Sequence, residues 1–213
     1  MSETKLICFD MDDTLISQNS WYKLNLAVGI TDAEDMQMYT DFVNGSLTYE
    51  QWIKQLSKLY LNRGQATKEK ITQTLSEFTL MEGAEATVKY LQEKSYQIAI
   101  ISGSFDVLVE KVSQQLGVKL YKANTKIMFD ETGYFKEFVS AGDEQHAKLS
   151  HLQQFCDELG ISIDNCVCIG DGANDLELFK ATGKGVTFPD ALPEVQAAAW
   201  KVVQNLPAIK EVL

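Results

Sequence analysis

The stretch LICFDMDDTLIS, residues 6–17, decides the fold. Its first four residues are apolar without alternation, which reads as a short strand buried on both faces, the habit of a parallel sheet. The run stops at Asp10, Asp12 and Asp13. Like charges this close repel one another, so the arrangement costs energy unless something positive meets it. Residues i and i+2 of an extended chain point the same way, so Asp10 and Asp12 face one side. Asp13 reads as a helix cap or a surface residue.

Other segments repeat the first pattern. YQIAIIS (96–102), NCVCIG (165–170) and GKGVTF (183–188) read as buried strands. Amphipathic segments near 84–95, 105–116, 144–159 and 173–181 separate them. Strand–helix alternation implies a Rossmann-like parallel sheet flanked by helices. Between 118 and 139, alternating apolar residues around DETG read as a strand followed by a β-hairpin. Residues 17–79 break the rhythm and read as all-helical, an insertion of about four helices. TYEQWIKQLSKLY sets Tyr49, Trp52, Ile53, Leu56, Leu59 and Tyr60 at helical spacing, a stripe expected in the bundle core. Thr31 with Glu34, and Thr48 with Gln51, form capping-box patterns. The expected division is an α/β core of residues 1–16 and 80–213 with a small helical cap domain over 17–79.

Composition narrows the function. The 213 residues carry a formal net charge of −11 and are 45% hydrophobic. That balance argues against nucleic acid and against an anionic membrane surface, both of which attract basic faces. The N-terminus has no basic start or long apolar run, so no signal peptide is expected. Cys8, Cys156, Cys166 and Cys168 lie mostly in apolar runs and read as reduced, buried thiols of a cytoplasmic protein. Cys166 and Cys168 are spaced C-x-C, without the second Cys/His pair of a zinc site. His146 and His151 are five apart, off a common helix face, and read as surface residues.

The polar residues converge once the topology is drawn. Asp10 and Asp12 follow the first strand, Ser102 and Gly103 the second, and Asp171, Gly172, Asn174 and Asp175 follow NCVCIG. The carboxyl ends of strands in an open parallel sheet share one edge, where ligands bind. Four carboxylates there raise one another's pKa unless a cation sits among them. Oxygen donors without His or Cys suit a hard divalent ion. Ser102-Gly103-Ser104 at a helix start offers a hydroxyl and free N–H groups to an anion. Lys148 supplies a positive charge from the opposite side. Together these parts point to phosphoryl transfer.

The sequence resembles the haloacid dehalogenase superfamily of phosphatases. Asp10-Met-Asp12-Asp13-Thr14 matches its D-x-D-x-T motif, Ser102 its second motif, Lys148 its third, and Gly170–Asp175, GDGAND, its fourth. Among subgroups, ISGSFD and IGDGANDLELF most resemble phosphoserine phosphatases. The resemblance implies a Mg²⁺-dependent phosphomonoester hydrolase acting on a small phosphorylated metabolite through an aspartyl-phosphate. Asp10 is then the nucleophile and Asp12 the acid–base. Asp10, Asp12 through its carbonyl, Asp171 and Asp175 surround the metal. Ser102, Gly103, Lys148 and Asn174 hold the phosphoryl group and substrate. A phosphotransferase passing the group to another hydroxyl, and a non-catalytic binder, stay open. The subgroup's substrate-reading Glu falls on Asn19, and its cap Arg has no matching position. Arg63 is the chain's only arginine. Asn19, Trp21 and Arg63 are the expected cap contacts. The oligomeric state is left open.

Overall fold

The structure, a computed structural model, describes residues 5–213. What the sequence suggested for residues 1–4, part of the N-terminal segment and of the core range, lies outside them. The first strand, β1 (Leu6–Phe9), is buried along its length. Four helices follow: α1 (Ser20–Ala27), α2 (Asp32–Val43), α3 (Tyr49–Arg63) and α4 (Lys68–Ser76). The core resumes with α5 (Ala84–Glu93), β2 (Gln97–Phe105), α6 (Asp106–Leu116), β3 (Leu120–Phe129) and β4 (Phe135–Ser140). It ends with α7 (Glu144–Leu159), β5 (Cys166–Ile169), α8 (Leu176–Thr182), β6 (Gly185–Thr187), α9 (Pro193–Ala198) and β7 (Lys201–Val202).

The seven strands form one sheet in the order β4-β3-β2-β1-β5-β6-β7, parallel except for the β3/β4 pair. β1 lies centrally, with Phe9 level with Ile100 of β2 and Ile169 of β5. The pleat divides its residues between two cores. Ile7 and Phe9 join the larger apolar cluster, whereas Leu6 and Cys8 join a second with Ala99, Ile101, Leu152 and Phe155. Burying each large apolar side chain contributes about 1.5–3 kcal/mol, which fixes β1 in register between its neighbours.

The expected strand and hairpin between 118 and 139 share one continuous strand. β3 pairs with β2 in parallel at its start and with β4 antiparallel at its end. β2 also runs past its expected end at residue 102, through an irregularity between Ser102 and Phe105. Ser102-Gly103-Ser104 therefore closes a strand, one residue short of the Phe105 cap of α6, and does not itself start the helix. α9 and β7 had no counterpart in the sequence reading, since a two-residue strand shows no period.

The chain leaves the sheet for α1–α4 and returns beside its exit. Ile16 bridges Leu80, and Ser17 N–H donates to the Thr79 carbonyl at 2.9 Å. Both capping boxes form, at Thr31/Glu34 and Thr48/Gln51. Leu56 and Tyr60 of the aromatic stripe are fully buried. The Tyr60 hydroxyl donates to Asn25 at 2.7 Å, and the Asn25 amide donates to Asp35 at 2.7 Å, tying α1, α2 and α3 together.

All four cysteines are free and buried. Sγ of Cys156 and Cys166 lie 3.4 Å apart, and burial pushes both thiols up. Thiolate is the reactive form, so these groups should be inert in the native state. Ellman's reagent is expected to titrate none of the four thiols before denaturation and all four afterwards. Rapid modification of the native protein would contradict this packing.

Candidate active site

Asp10 follows β1 directly, its N–H donating to the Ile169 carbonyl at 2.8 Å, so the central strand pair aims it at the carboxyl edge of the sheet. Lys148 reaches the same point from α7. Its ammonium lies 2.9 Å from Oδ1 of Asp10 and 2.7 Å from Oδ1 of Asp175, and donates to Oδ1 of Asn174 at 3.1 Å. Lys148 is fully buried. Burial alone would lower its pKa, but Asp10 and Asp175 overcome that and hold it above the ordinary lysine value.

Asp171 and Asp175 come from the loop after β5. Asp171 Oδ1 accepts from the Thr14 hydroxyl at 2.8 Å. Asp175 Oδ2 accepts the Gly172 N–H at 3.2 Å. A Cβ built on Gly170 would lie 2.1 Å from the same Oδ2, so only glycine lets the loop close this tightly. One oxygen from each of Asp10, Asp171 and Asp175 falls within 4.8 Å of the others. Burial pushes Asp171 up to about 6, with Asp10 adding to the rise. It also pushes Asp175 up to about 7, against the pull of Lys148. An all-oxygen, partly repulsive set of this kind fits a hard divalent cation. No Cys or His belongs to it among the described residues.

Asp12 has different surroundings. Its Oδ2 accepts the Ser20 N–H at 3.1 Å and the Ser20 hydroxyl at 2.5 Å. The same hydroxyl contacts Ser104, linking the strand end of β2 to the start of α1. Asp12 Oδ1 is shielded from solvent and has no hydrogen-bond partner among the described residues. Burial, reinforced by Asp10, pushes Asp12 up to about 8 against the bonds from Ser20.

Ser102 is buried and its hydroxyl accepts the Ser104 N–H at 3.1 Å. Gly103 faces the Glu144 carboxylate, which a Cβ would approach to 2.6 Å. Glu144 also accepts from the Asn174 amide at 2.9 Å, and burial pushes it up to about 7.

Asp10, Asp12, Ser102, Gly103, Glu144, Asp171 and Asn174 line a cavity of about 470 Å³, roofed by Asn19, Trp21, Tyr39, Phe42 and Trp52, whereas Lys148 and Asp175 lie behind its wall. Asn19 caps α1 by accepting the Tyr22 N–H at 3.0 Å. Arg63 does not line the cavity. Its guanidinium pairs with Glu34 of α2, away from the position expected for a substrate contact. Asp13 is exposed, with a left-handed φ of 53°, at the same cavity. His146 is exposed, but His151 is only half-exposed. Thr14, Ser20 and Glu144 were assigned no role from sequence. Thr14 stands in the quoted D-x-D-x-T pattern, but nothing local marks Ser20 or Glu144.

Three comparisons show what the chain is similar to. A family model for haloacid dehalogenase-like hydrolases matches residues 4–183. A phosphoserine phosphatase of Methanocaldococcus jannaschii is 31% identical over 186 residues, covering 86% of this chain and 85% of that protein. One of Streptomyces coelicolor is 30% identical over 98% of this chain, but the match spans only 49% of that protein's length. A solved phospho-aspartyl intermediate analogue of phosphoserine phosphatase superposes with a TM-score of 0.85 at 27% identity, covering 100% of both chains.

Removing one partner of a buried ion pair leaves uncompensated charge, typically costing ~3–5 kcal/mol. Lys148→Ala should therefore lower the melting temperature measured by calorimetry, by on the order of 10 °C for a chain of this size. An unchanged melting temperature would contradict the buried position assigned to this lysine.

Proposed function

The chain belongs to the haloacid dehalogenase-like hydrolases, and on that footing we propose that it is a Mg²⁺-dependent phosphomonoester hydrolase working through an aspartyl-phosphate. One observation carries this reading. Two aspartates a residue apart lie in different environments: Asp10 is paired with the Lys148 ammonium at 2.9 Å, while Asp12 is held by the N–H and hydroxyl of Ser20 in a buried setting that raises its pKa. A nucleophile beside an acid is what a two-step ester hydrolysis needs.

An oxygen of Asp10 attacks phosphorus. The bond from phosphorus to the ester oxygen breaks as Asp12 passes its proton to the departing alcohol. Asp12, now a carboxylate, takes a proton from water, whose oxygen attacks phosphorus. The bond to Asp10 breaks, orthophosphate leaves, and both aspartates return to their starting states. The hydroxyl of Ser102, the amide of Gly103 and the ammonium of Lys148 hold the phosphoryl oxygens, with Asn174 beside them. Lys148 also orients Asp10. Magnesium, when bound by Asp10, the Asp12 carbonyl, Asp171 and Asp175, screens the negative charge of the phosphoryl group. Glu144 must turn away from Gly103 or carry a proton when a phosphate enters, since two anions do not share that position.

Residues 17–79 act as a cap whose wall meets the leaving group and keeps stray water from the acyl phosphate. No helix among the described residues is long and apolar enough to cross a membrane. Four free thiols support a reducing, cytoplasmic setting.

The test is phosphate release from a panel of small phosphomonoesters with magnesium present. Asp10→Asn should lower kcat by at least ~10⁴-fold while leaving the circular dichroism spectrum unchanged. Chelation should silence the wild type, and added magnesium should restore it. Turnover near the wild-type rate in Asp10→Asn would remove the nucleophile assignment.

A further inference from the structure

We propose that the alcohol this cavity receives carries a positive charge and no free carboxylate: the ester of an alkylammonium alcohol. This rests on the phosphomonoester reading above and adds the class of leaving group.

The ionisable carboxyl groups on the cavity wall meet no cationic side chain there. Asp10, Asp12, Asp13, Asp35, Glu144 and Asp171 line it, and no lysine or arginine does. Lys148 lies beneath, its ammonium divided among Asp10, Asp175 and Asn174. Arg63 is spent on Glu34. A carboxylate entering the aromatic end would find no cationic side chain and would face Asp35, which is costly. A positive group meets the opposite conditions.

The wall away from the phosphoryl site is aromatic. Trp21 and Trp52 meet edge to face with centroids 4.9 Å apart, and Phe42 stacks on Trp52 at 5.6 Å. Tyr39 stands at the mouth, 56% exposed, with Met36 beside it at 58%. Aromatic faces attract cations, and alkylammonium groups are commonly bound in such surroundings. Asp35 sits at this end, half-buried and held by the Asn25 amide at 2.7 Å, so its carboxylate is fixed in place. The wall also has an unused donor. Trp21 is only 8% exposed, and its Nε1–H has no acceptor among the described residues. An ester or phosphoryl oxygen of the ligand would satisfy it. The cavity thus provides an oxyanion end over Asp10 and a cation end between Asp35 and the aromatic wall.

The experiment separates charge from shape. Phosphocholine, phosphoethanolamine, O-phosphoserine and 3,3-dimethylbutyl phosphate, the neutral carbon isostere of phosphocholine, are compared by kcat/KM with the full-length chain and magnesium. p-Nitrophenyl phosphate serves as a generic ester. At least one of the two ammonium esters should exceed both the isostere and phosphoserine by about tenfold or more, about 1.4 kcal/mol. In Asp35→Asn the ratio of the ammonium ester to the isostere should fall ~3- to 10-fold. That ratio is taken within each variant, so a folding defect cancels. Equal rates for phosphocholine and its isostere together with no advantage for phosphoethanolamine, or a preference for phosphoserine, would overturn the inference. If no ester is hydrolysed, p-nitrophenyl phosphate included, the hydrolase reading fails instead. Binding then decides the inference by itself: choline should perturb tryptophan fluorescence at least ~10-fold more tightly than 3,3-dimethylbutan-1-ol, and equal affinities would sink it.

Discussion

The ammonium of Lys148 has no exposure to solvent and is surrounded by acids. An isolated charge there would cost several kcal/mol, and so would each neighbouring carboxylate. They tolerate burial only as a group, and the group is unbalanced. Three carboxyl groups, those of Asp10, Asp171 and Asp175, face one ammonium, and burial raises the pKa of the last two. The site is thus short of positive charge, which suits a hard divalent cation.

The sheet order brings these groups together. β1 leads to Asp10 and sits between β2, which carries Ser102, and β5, which leads to Asp171. Its neighbours β2 and β5 hold it from both sides, and both faces are buried, so a slip in register would expose one apolar set or the other. Lys148 comes from α7, which packs across β2 and β3 and against α8. The helical insertion starts within a few residues of Asp12, which is why Ser20, the first residue of α1, can bond to that carboxylate. Asp12 is thereby tied to the first helix of the insertion.

The central strands and the acids that follow them were legible in the sequence, because doubly buried parallel strands are unbroken apolar runs and their polar ends stand out. The helical insertion was legible from its spacing and from the boxes at Thr31 and Thr48. The limits of local pattern show elsewhere. Ser102-Gly103-Ser104 looked like a helix start, yet pairing to β3 keeps the chain extended for three more residues. Arg63 drew interest as the sole guanidinium, but which acid it meets is decided by how α3 packs on α2. Glu144 sits on a helix that reads as amphipathic. Only the packing of α7 against the sheet turns it toward Gly103. β7 is too short to carry any pattern, and its place beside β6 is a tertiary outcome.

The most direct test is a crystal structure with magnesium and beryllofluoride, an analogue of a phosphoryl group. The account predicts beryllofluoride bonded to Asp10, touching Lys148 and Ser102, and one ion among Asp10, Asp171 and Asp175. Clear density for the protein with neither species beside Asp10, under conditions where both are in excess, would contradict it.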